Sequence, residues 1–78
     1  MTRKQAIKEL IGENVKALII EELHITYFSR ELDKLPEGES KTGVLRKLAE
    51  LEQMTEQRRQ HQKILKEMLH DIELREVS

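Results

Sequence analysis

The stretch that most limits the fold of this chain is residues 14–28, NVKALIIEELHITYF, in which nine of fifteen residues are apolar. At about 100° per residue, these nine side chains spread round most of a helix circumference instead of forming one stripe. A helix that is apolar on every side is normally buried on every side. The chain has 78 residues, near the size at which a single core gives only marginal stability. The fold must therefore provide something that covers this segment.

Helix 1 is predicted over about 3–35. Thr2 and Gln5 have the spacing of a capping box, which marks the start of a helix. The helical pattern continues as far as Pro36, which cannot extend a helix because it lacks an N–H group. Few residues are β-branched and only two are aromatic, so the composition also favours helix over sheet.

A turn over 36–41 and a second helix over about 42–74 complete the predicted architecture. The turn contains the sequence PEGES at 36–40, in which Gly38 tolerates positive φ. Thr42 is the predicted N-cap of helix 2, and Ser40 is the other candidate for that position.

A ladder of core positions at alternating spacings of four and three residues runs through both helices, as in a coiled coil. In helix 1 its positions are Ile7, Ile11, Asn14, Leu18, Glu21, Ile25, Phe28, Leu32 and Leu35. In helix 2 they are Val44, Leu48, Leu51, Thr55, Arg58, Gln62, Leu65, Leu69 and Ile72. In an antiparallel hairpin that turns near Gly38, residues at one level have numbers that sum to about 76. Phe28 with Leu48 and Ile11 with Leu65 satisfy that sum, so we predict an all-α fold with one antiparallel hairpin domain.

The middle of this ladder is polar. Its members, which we call the polar waist, are Asn14, Glu21, Arg58 and Gln62. Glu21 lies one helical turn from Arg58 across the seam, and Asn14 is level with Gln62, so both pairs are predicted to hydrogen-bond. Polar core positions of coiled coils fix register and oligomeric state, and we favour that role over a ligand site. If it is the whole role, Arg58→Leu should raise stability while loosening the register.

Helix 1 carries a second apolar stripe on the side away from helix 2. This outer stripe consists of Gly12, Val15, Ile19, Leu23 and Thr26, and Ile20 and Tyr27 widen it. One partner helix covers only one face, so the stripe would be an exposed apolar patch on a monomer, and such patches mark interaction surfaces. We predict a homodimer that forms a four-helix bundle, since two-fold dimers are the commonest oligomers. The alternative is a different protein that covers the same stripe.

A basic segment of helix 2 suggests a second function. Its predicted nucleic-acid contacts are Arg58, Arg59, Lys63 and Lys66. Two such stripes in a dimer would track phosphates. The architecture would then be similar to that of the plasmid RNA-regulating Rop proteins, which are antiparallel hairpins that dimerise into four-helix bundles. No aromatic residues interleave the basic ones, so a solvated helix face is the favoured interpretation.

Two Glu-x-x-His motifs suggest metal binding as a third possible function. They are Glu21–His24 and Glu67–His70. This spacing lets both side chains reach one metal ion in a helical bundle. The predicted register puts the two motifs at different levels, however, roughly 22 Å apart along the axis. We therefore predict no metal site and no cofactor.

The sequence as a whole predicts a small non-enzymatic protein-interaction module, such as a regulator, adaptor, chaperone or inhibitor. A net charge of −1 recommends neither nucleic acid nor an anionic membrane as the partner. The longest uncharged apolar run has four residues, and the start of the chain lacks the apolar region of a signal peptide. The chain has no cysteine, which is compatible with a reducing compartment, and we expect a cytoplasmic protein. No grouping of residues typical of catalysis occurs.

Overall fold

The structure is a computed structural model that describes residues 1–77. Helix α1 spans Arg3–Lys34 and helix α2 spans Glu39–Val77, and no strand occurs within these 77 residues. The two helices pack against each other in a rod 61 Å long and 16 by 15 Å in cross-section. The prediction of an all-α helical hairpin is therefore confirmed.

Helix α1 begins with the predicted capping box. The backbone N–H of Gln5 donates to Oγ1 of Thr2 at 3.2 Å, and the backbone N–H of Thr2 donates to Oε1 of Gln5 at 3.0 Å. These two bonds satisfy donors that the first turn of a helix otherwise leaves without partners. At the other end, Leu35 leaves the helical conformation immediately before Pro36.

Helix α2 begins at Glu39, three residues before the predicted N-cap, so the predicted turn over 36–41 was too long. Gly38 has a φ of 150°, a conformation that side chains rarely adopt, and this reverses the chain in fewer residues than expected. The carbonyl of Gly38 already accepts a helical hydrogen bond from the N–H of Thr42. The hydroxyl of Thr42 donates to the same carbonyl at 3.1 Å, so Thr42 bonds back along the helix instead of capping it.

At the end of the rod opposite the turn, an ion pair joins the start of α1 to the end of α2. Helix α2 continues to Val77, three residues past its predicted end, and Nζ of Lys4 donates to Oε2 of Glu76 at 2.8 Å. This hydrogen bond raises the pKa of Lys4 above its ordinary value of 10.5. Both side chains are substantially solvated, so the pair contributes little to stability.

The seam between the helices follows the predicted ladder. All eighteen ladder positions are buried or half-buried. The most buried apolar residues are Ile7, on one side of the polar waist, and Leu48 and Leu51, on its other side. Among the described residues, no large side chain is completely buried. Two helices alone thus make a thin core, whose middle is occupied by the polar waist.

Candidate functional site

The polar waist is a connected network of hydrogen bonds across the seam. Nε of Arg58 donates to Oε1 of Glu21 at 2.7 Å, and Nδ2 of Asn14 donates to Oε1 of Gln62 at 2.9 Å. Both predicted pairs are therefore present. A third bond, which the sequence did not indicate, joins them: Nη1 of Arg58 donates to Oδ1 of Asn14 at 3.1 Å.

Two further bonds tie the waist to the backbone of the opposite helix. Nδ2 of Asn14 also donates to the carbonyl of Arg58 at 3.0 Å, and Nε2 of Gln62 donates to the carbonyl of Ile11 at 3.3 Å. A slip of one helix along the other would leave these buried amides without partners, which costs about 1–3 kcal/mol for each group. The waist thus selects one register of the hairpin.

The buried carboxylate of Glu21 depends on a single cation. The Glu21 side chain is only 9% exposed, whereas that of Arg58 is 35% exposed. Within residues 1–77, Oε2 of Glu21 is buried and accepts no hydrogen bond. The nearby hydroxyl of Thr55 donates to the carbonyl of Leu51 in its own helix at 2.9 Å. Removing Arg58 would therefore leave a buried charge uncompensated.

This geometry reverses the prediction for Arg58→Leu. The sequence alone suggested that leucine would fit the ladder and raise stability. A buried ion pair that loses one partner is strongly destabilised, however, whereas replacing both partners by apolar residues is often neutral or stabilising. The single substitution should therefore lower stability, and the double substitution with Glu21→Leu should restore most of it.

The outer stripe of α1 is exposed along its whole length. Ile19 is 60% exposed and Leu23 is 64% exposed, and Val15 is more than two-fifths exposed. A Cβ atom added at Gly12 would meet nothing within 4 Å, so the space above that glycine is open. Ile20 and Tyr27, which widen the stripe, are also more than half exposed. The structure thus places all predicted interface residues on the surface of the hairpin.

Helix α2 adds exposed apolar residues that the sequence reasoning did not single out. Apart from Val77, the last residue of the helix, they are Leu45, Met54, Ile64 and Leu74. All four are off the ladder, and that position in the pattern was the signal that could have identified them. They are spaced widely along α2, whereas those of α1 are adjacent at helical spacing, so the continuous apolar surface belongs to α1.

The predicted basic stripe is divided between two environments. Arg58 is held in the polar waist by Glu21 and Asn14, so it does not belong to the free surface. The other three predicted nucleic-acid contacts, Arg59, Lys63 and Lys66, are exposed.

Acidic residues accompany these cations on one side of the rod. Arg59 lines a shallow groove between the helices together with Glu22 of α1 and Glu52 and Glu56 of α2. The surface next to the basic residues is therefore mixed in charge.

The two Glu-x-x-His motifs lie in separate places. Glu21 is buried and bonded to Arg58, whereas His24, Glu67 and His70 are exposed. Across residues 1–77 there is no group of three or more His, Cys, Asp or Glu residues that could hold a metal ion. Neither helix, as far as it is described, contains a stretch that is both long enough and apolar enough to cross a membrane.

Comparison of the chain with protein-family models, with curated proteins and with solved structures gave no match. The function is therefore inferred from the geometry of the hairpin and from its surface chemistry.

Proposed function

We propose that this protein is a small non-enzymatic protein-interaction module of the cytoplasm, acting as a regulator, adaptor, chaperone or inhibitor. The observation that carries the proposal is the exposed apolar face of α1. Val15, Ile19 and Leu23 form a continuous row, and each of them is more than two-fifths exposed. Exposed apolar surfaces of this kind mark interaction sites.

The energy available from that face is large for so small a domain. The side chains of Val15, Ile19, Ile20 and Leu23 are about half exposed. Burying the remainder contributes about half of the 1.5–3 kcal/mol for a full side chain, or roughly 3–6 kcal/mol per chain before the cost of association. A domain of this size has a marginal stability of a few kcal/mol. A partner on the outer stripe would therefore change the stability of the whole hairpin.

A homodimer that forms a four-helix bundle is the first partner we propose. Two-fold dimers are the commonest oligomers, and their interfaces use the same surface twice. A second hairpin would thicken a core in which no large described side chain is yet completely buried. A different protein on the same stripe is the competing occupant.

Site-specific photo-crosslinking in the native cell tests the proposal. A benzophenone amino acid at Leu23 should give covalent adducts, with twice the mass of the chain for a homodimer or the added mass of another protein for a hetero-complex. The same group at Gln60, an exposed position of α2, is the matched control and should give none. If Leu23 gives no more adduct than Gln60, the outer stripe is not an interaction surface.

The exposed cations of α2 make nucleic-acid binding the alternative. Arg59, Lys63 and Lys66 share one face at i, i+4 and i+7 spacing. Because Glu52 and Glu56 continue the same helix nearby, we expect no retention on RNA or duplex DNA at roughly 50 mM salt. Retention that falls steeply as salt is raised would favour the alternative.

A further inference from the structure

The outer stripe of α1 is symmetric about Ile19. Val15 and Leu23 lie four residues on either side of it, and Gly12 and Thr26 lie seven residues on either side. If α1 packs antiparallel on a second α1, Ile19 meets its own copy, Val15 meets Leu23 and Gly12 meets Thr26. A surface that is complementary to itself in this way is what a two-fold interface requires.

The same symmetry sets where apolar contact would end. Lys8 and Arg30 continue the stripe in the two directions, and each is eleven residues from Ile19. In the antiparallel arrangement they would face each other, so close contact would stop before them. The five residues of the outer stripe thus define the extent of the interface along α1.

A pattern of charged residues lies on α2, on the side of the rod that the outer stripe borders. The groove lined by Glu22, Glu52, Glu56 and Arg59 shows that these four residues share that side. Ile19 precedes Glu22 by one turn of α1, so the inner edge of the outer stripe borders this groove.

Along α2 the charges on that side include two acids followed by two bases, and Lys66 extends the basic run beyond them. Glu52 and Glu56 come first, then Arg59 and Lys63, at spacings of four, three and four residues. In the described part of the chain none of the four makes an ion pair. Reversing the helix direction would place each acid opposite a base, Glu56 against Arg59 and Glu52 against Lys63.

The outer stripe of α1 and the charge pattern of α2 are centred at the same level along the rod. The hydrogen bond between Asn14 and Gln62 shows that residues at one level have numbers that sum to about 76. Ile19 is therefore level with about residue 57 of α2. The four charges Glu52, Glu56, Arg59 and Lys63 of α2 are centred between residues 57 and 58. A two-fold axis perpendicular to the rod passes both helices at one level, so this agreement is a condition that the proposed axis has to meet.

We propose that a second copy of this chain docks on this side of the hairpin, about a two-fold axis that passes between the two copies of Ile19. Helix α1 then packs antiparallel on its counterpart through the outer stripe. Helix α2 faces its counterpart with four ion pairs, Glu56–Arg59 and Glu52–Lys63 in each direction. The arrangement rests on the homodimer named under the proposed function.

Cysteine crosslinking tests the axis directly, because the chain has no cysteine of its own. Ile19→Cys places one thiol beside its own copy, and it should form a disulfide-linked dimer under mild oxidation. Ile64→Cys is the matched control, since Ile64 is also about half exposed but lies on α2, away from the axis. Crosslinking that is equal at the two positions would overturn the proposal.

Charge reversal tests the α2 contacts. Glu52→Lys with Glu56→Lys should raise the dissociation constant of the dimer roughly tenfold at low salt, because like charges would then face each other. Arg59→Glu with Lys63→Glu should have the same effect. All four substitutions in one chain should restore the wild-type constant, because every pair is re-formed with opposite sign. A fourfold variant as weak as the twofold ones would overturn the proposal.

The failure of this arrangement is distinguishable from the failure of the proposed function. The axis is overturned if the wild-type chain dimerises while Ile19→Cys crosslinks no better than Ile64→Cys, or while the fourfold variant does not recover. Either result leaves the interaction module standing. A wild-type chain that is monomeric and gives no adduct from the photo-crosslinker at position 23 contradicts both.

Discussion

In the middle of α1, the inner face, which packs against α2, carries polar side chains, and the outer face, which is exposed, carries apolar ones. This is the reverse of the usual arrangement. The inner face buries Asn14 and Glu21, whereas the outer face exposes Val15, Ile19 and Leu23. Buried polar residues and exposed apolar patches are the two informative exceptions to ordinary burial, and here they occupy the same three turns. The inner face supplies specificity, because its hydrogen bonds select one register. The outer face holds apolar surface that only another molecule can cover.

Matched leucine truncations should give the largest contrast between the two faces. Leu51 is 7% exposed in the seam, and Leu51→Ala should lower the free energy of unfolding by roughly 2–4 kcal/mol, through lost burial and a residual cavity. Leu23→Ala should leave unfolding of the isolated hairpin unchanged within about 0.5 kcal/mol. Urea denaturation at several protein concentrations separates folding from association.

At high protein concentration Leu23→Ala should weaken the dimer. The difference in free energy of unfolding between this variant and the wild type should therefore grow as the protein concentration rises. If Leu23→Ala instead costs as much as Leu51→Ala at every concentration, the outer stripe contributes to folding of the single chain, and the contrast between the faces is lost.

The ion pair of the waist should give the next largest effect. Arg58→Leu should lower the free energy of unfolding at pH 7 by roughly 2–3 kcal/mol, at or below the lower end of values for buried pairs because Arg58 is partly exposed. The reason is that the Glu21 carboxylate keeps its burial and loses its cation. Urea denaturation of this single variant gives the measurement.

The double variant Glu21→Leu with Arg58→Leu is the control for that prediction. It should recover most of the lost stability, since the ladder then holds apolar residues at both positions. It should stay about 1 kcal/mol below the wild type, because Oδ1 of Asn14 loses its hydrogen bond from Arg58. A single Arg58→Leu variant as stable as the wild type would mean that Glu21 is solvated, and that the inner face is not the polar interior described above.

The hairpin and its register could be predicted because their signals are local. The capping box of Thr2 and Gln5, the helix break at Pro36 and the four–three spacing of the ladder each act within one or two turns. The position of the turn fixes which residues of the two antiparallel helices lie side by side. The apolar residues of the two ladders had to match at those same positions, so each signal checked the other. Two of the waist contacts followed from the same register.

The chemistry of Thr42 and Arg58 could not be decided in that way. A threonine near a helix start either caps the helix or bonds back to an earlier carbonyl, and here the conformation of Gly38 lets the helix begin early enough for the second. Arg58 fits both the ladder and the basic run that includes Arg59. Only the position of Asn14 and Glu21 opposite it shows that the guanidinium turns inwards.

Substitution of two helical glycines should have the smallest effect on stability, and it compares a residue inside the proposed interface with one outside it. A Cβ atom at Gly12 or at Gly43 meets nothing within 4 Å in the hairpin, and both glycines lie inside helices. Gly43→Ala should therefore raise stability by about 0.5–1 kcal/mol, from helix propensity alone. Gly12→Ala should bring the same gain to the monomer but should raise the dissociation constant of the dimer, because the methyl group enters the layer with Thr26 of the second copy. Identical effects of the two substitutions on association would show that Gly12 is not in the interface.

Sedimentation equilibrium of the wild-type chain and the Ile19→Glu variant tests most directly whether α1 has more apolar surface than α2 covers. The wild type should sediment with twice the mass of the chain at micromolar concentration. Ile19→Glu should sediment as a monomer with unchanged helix content, since Ile19 is exposed in the single hairpin and its charge would be buried against its own copy in the dimer. A wild-type chain that remains monomeric at millimolar concentration, unfolds cooperatively and binds no hydrophobic dye would contradict the account.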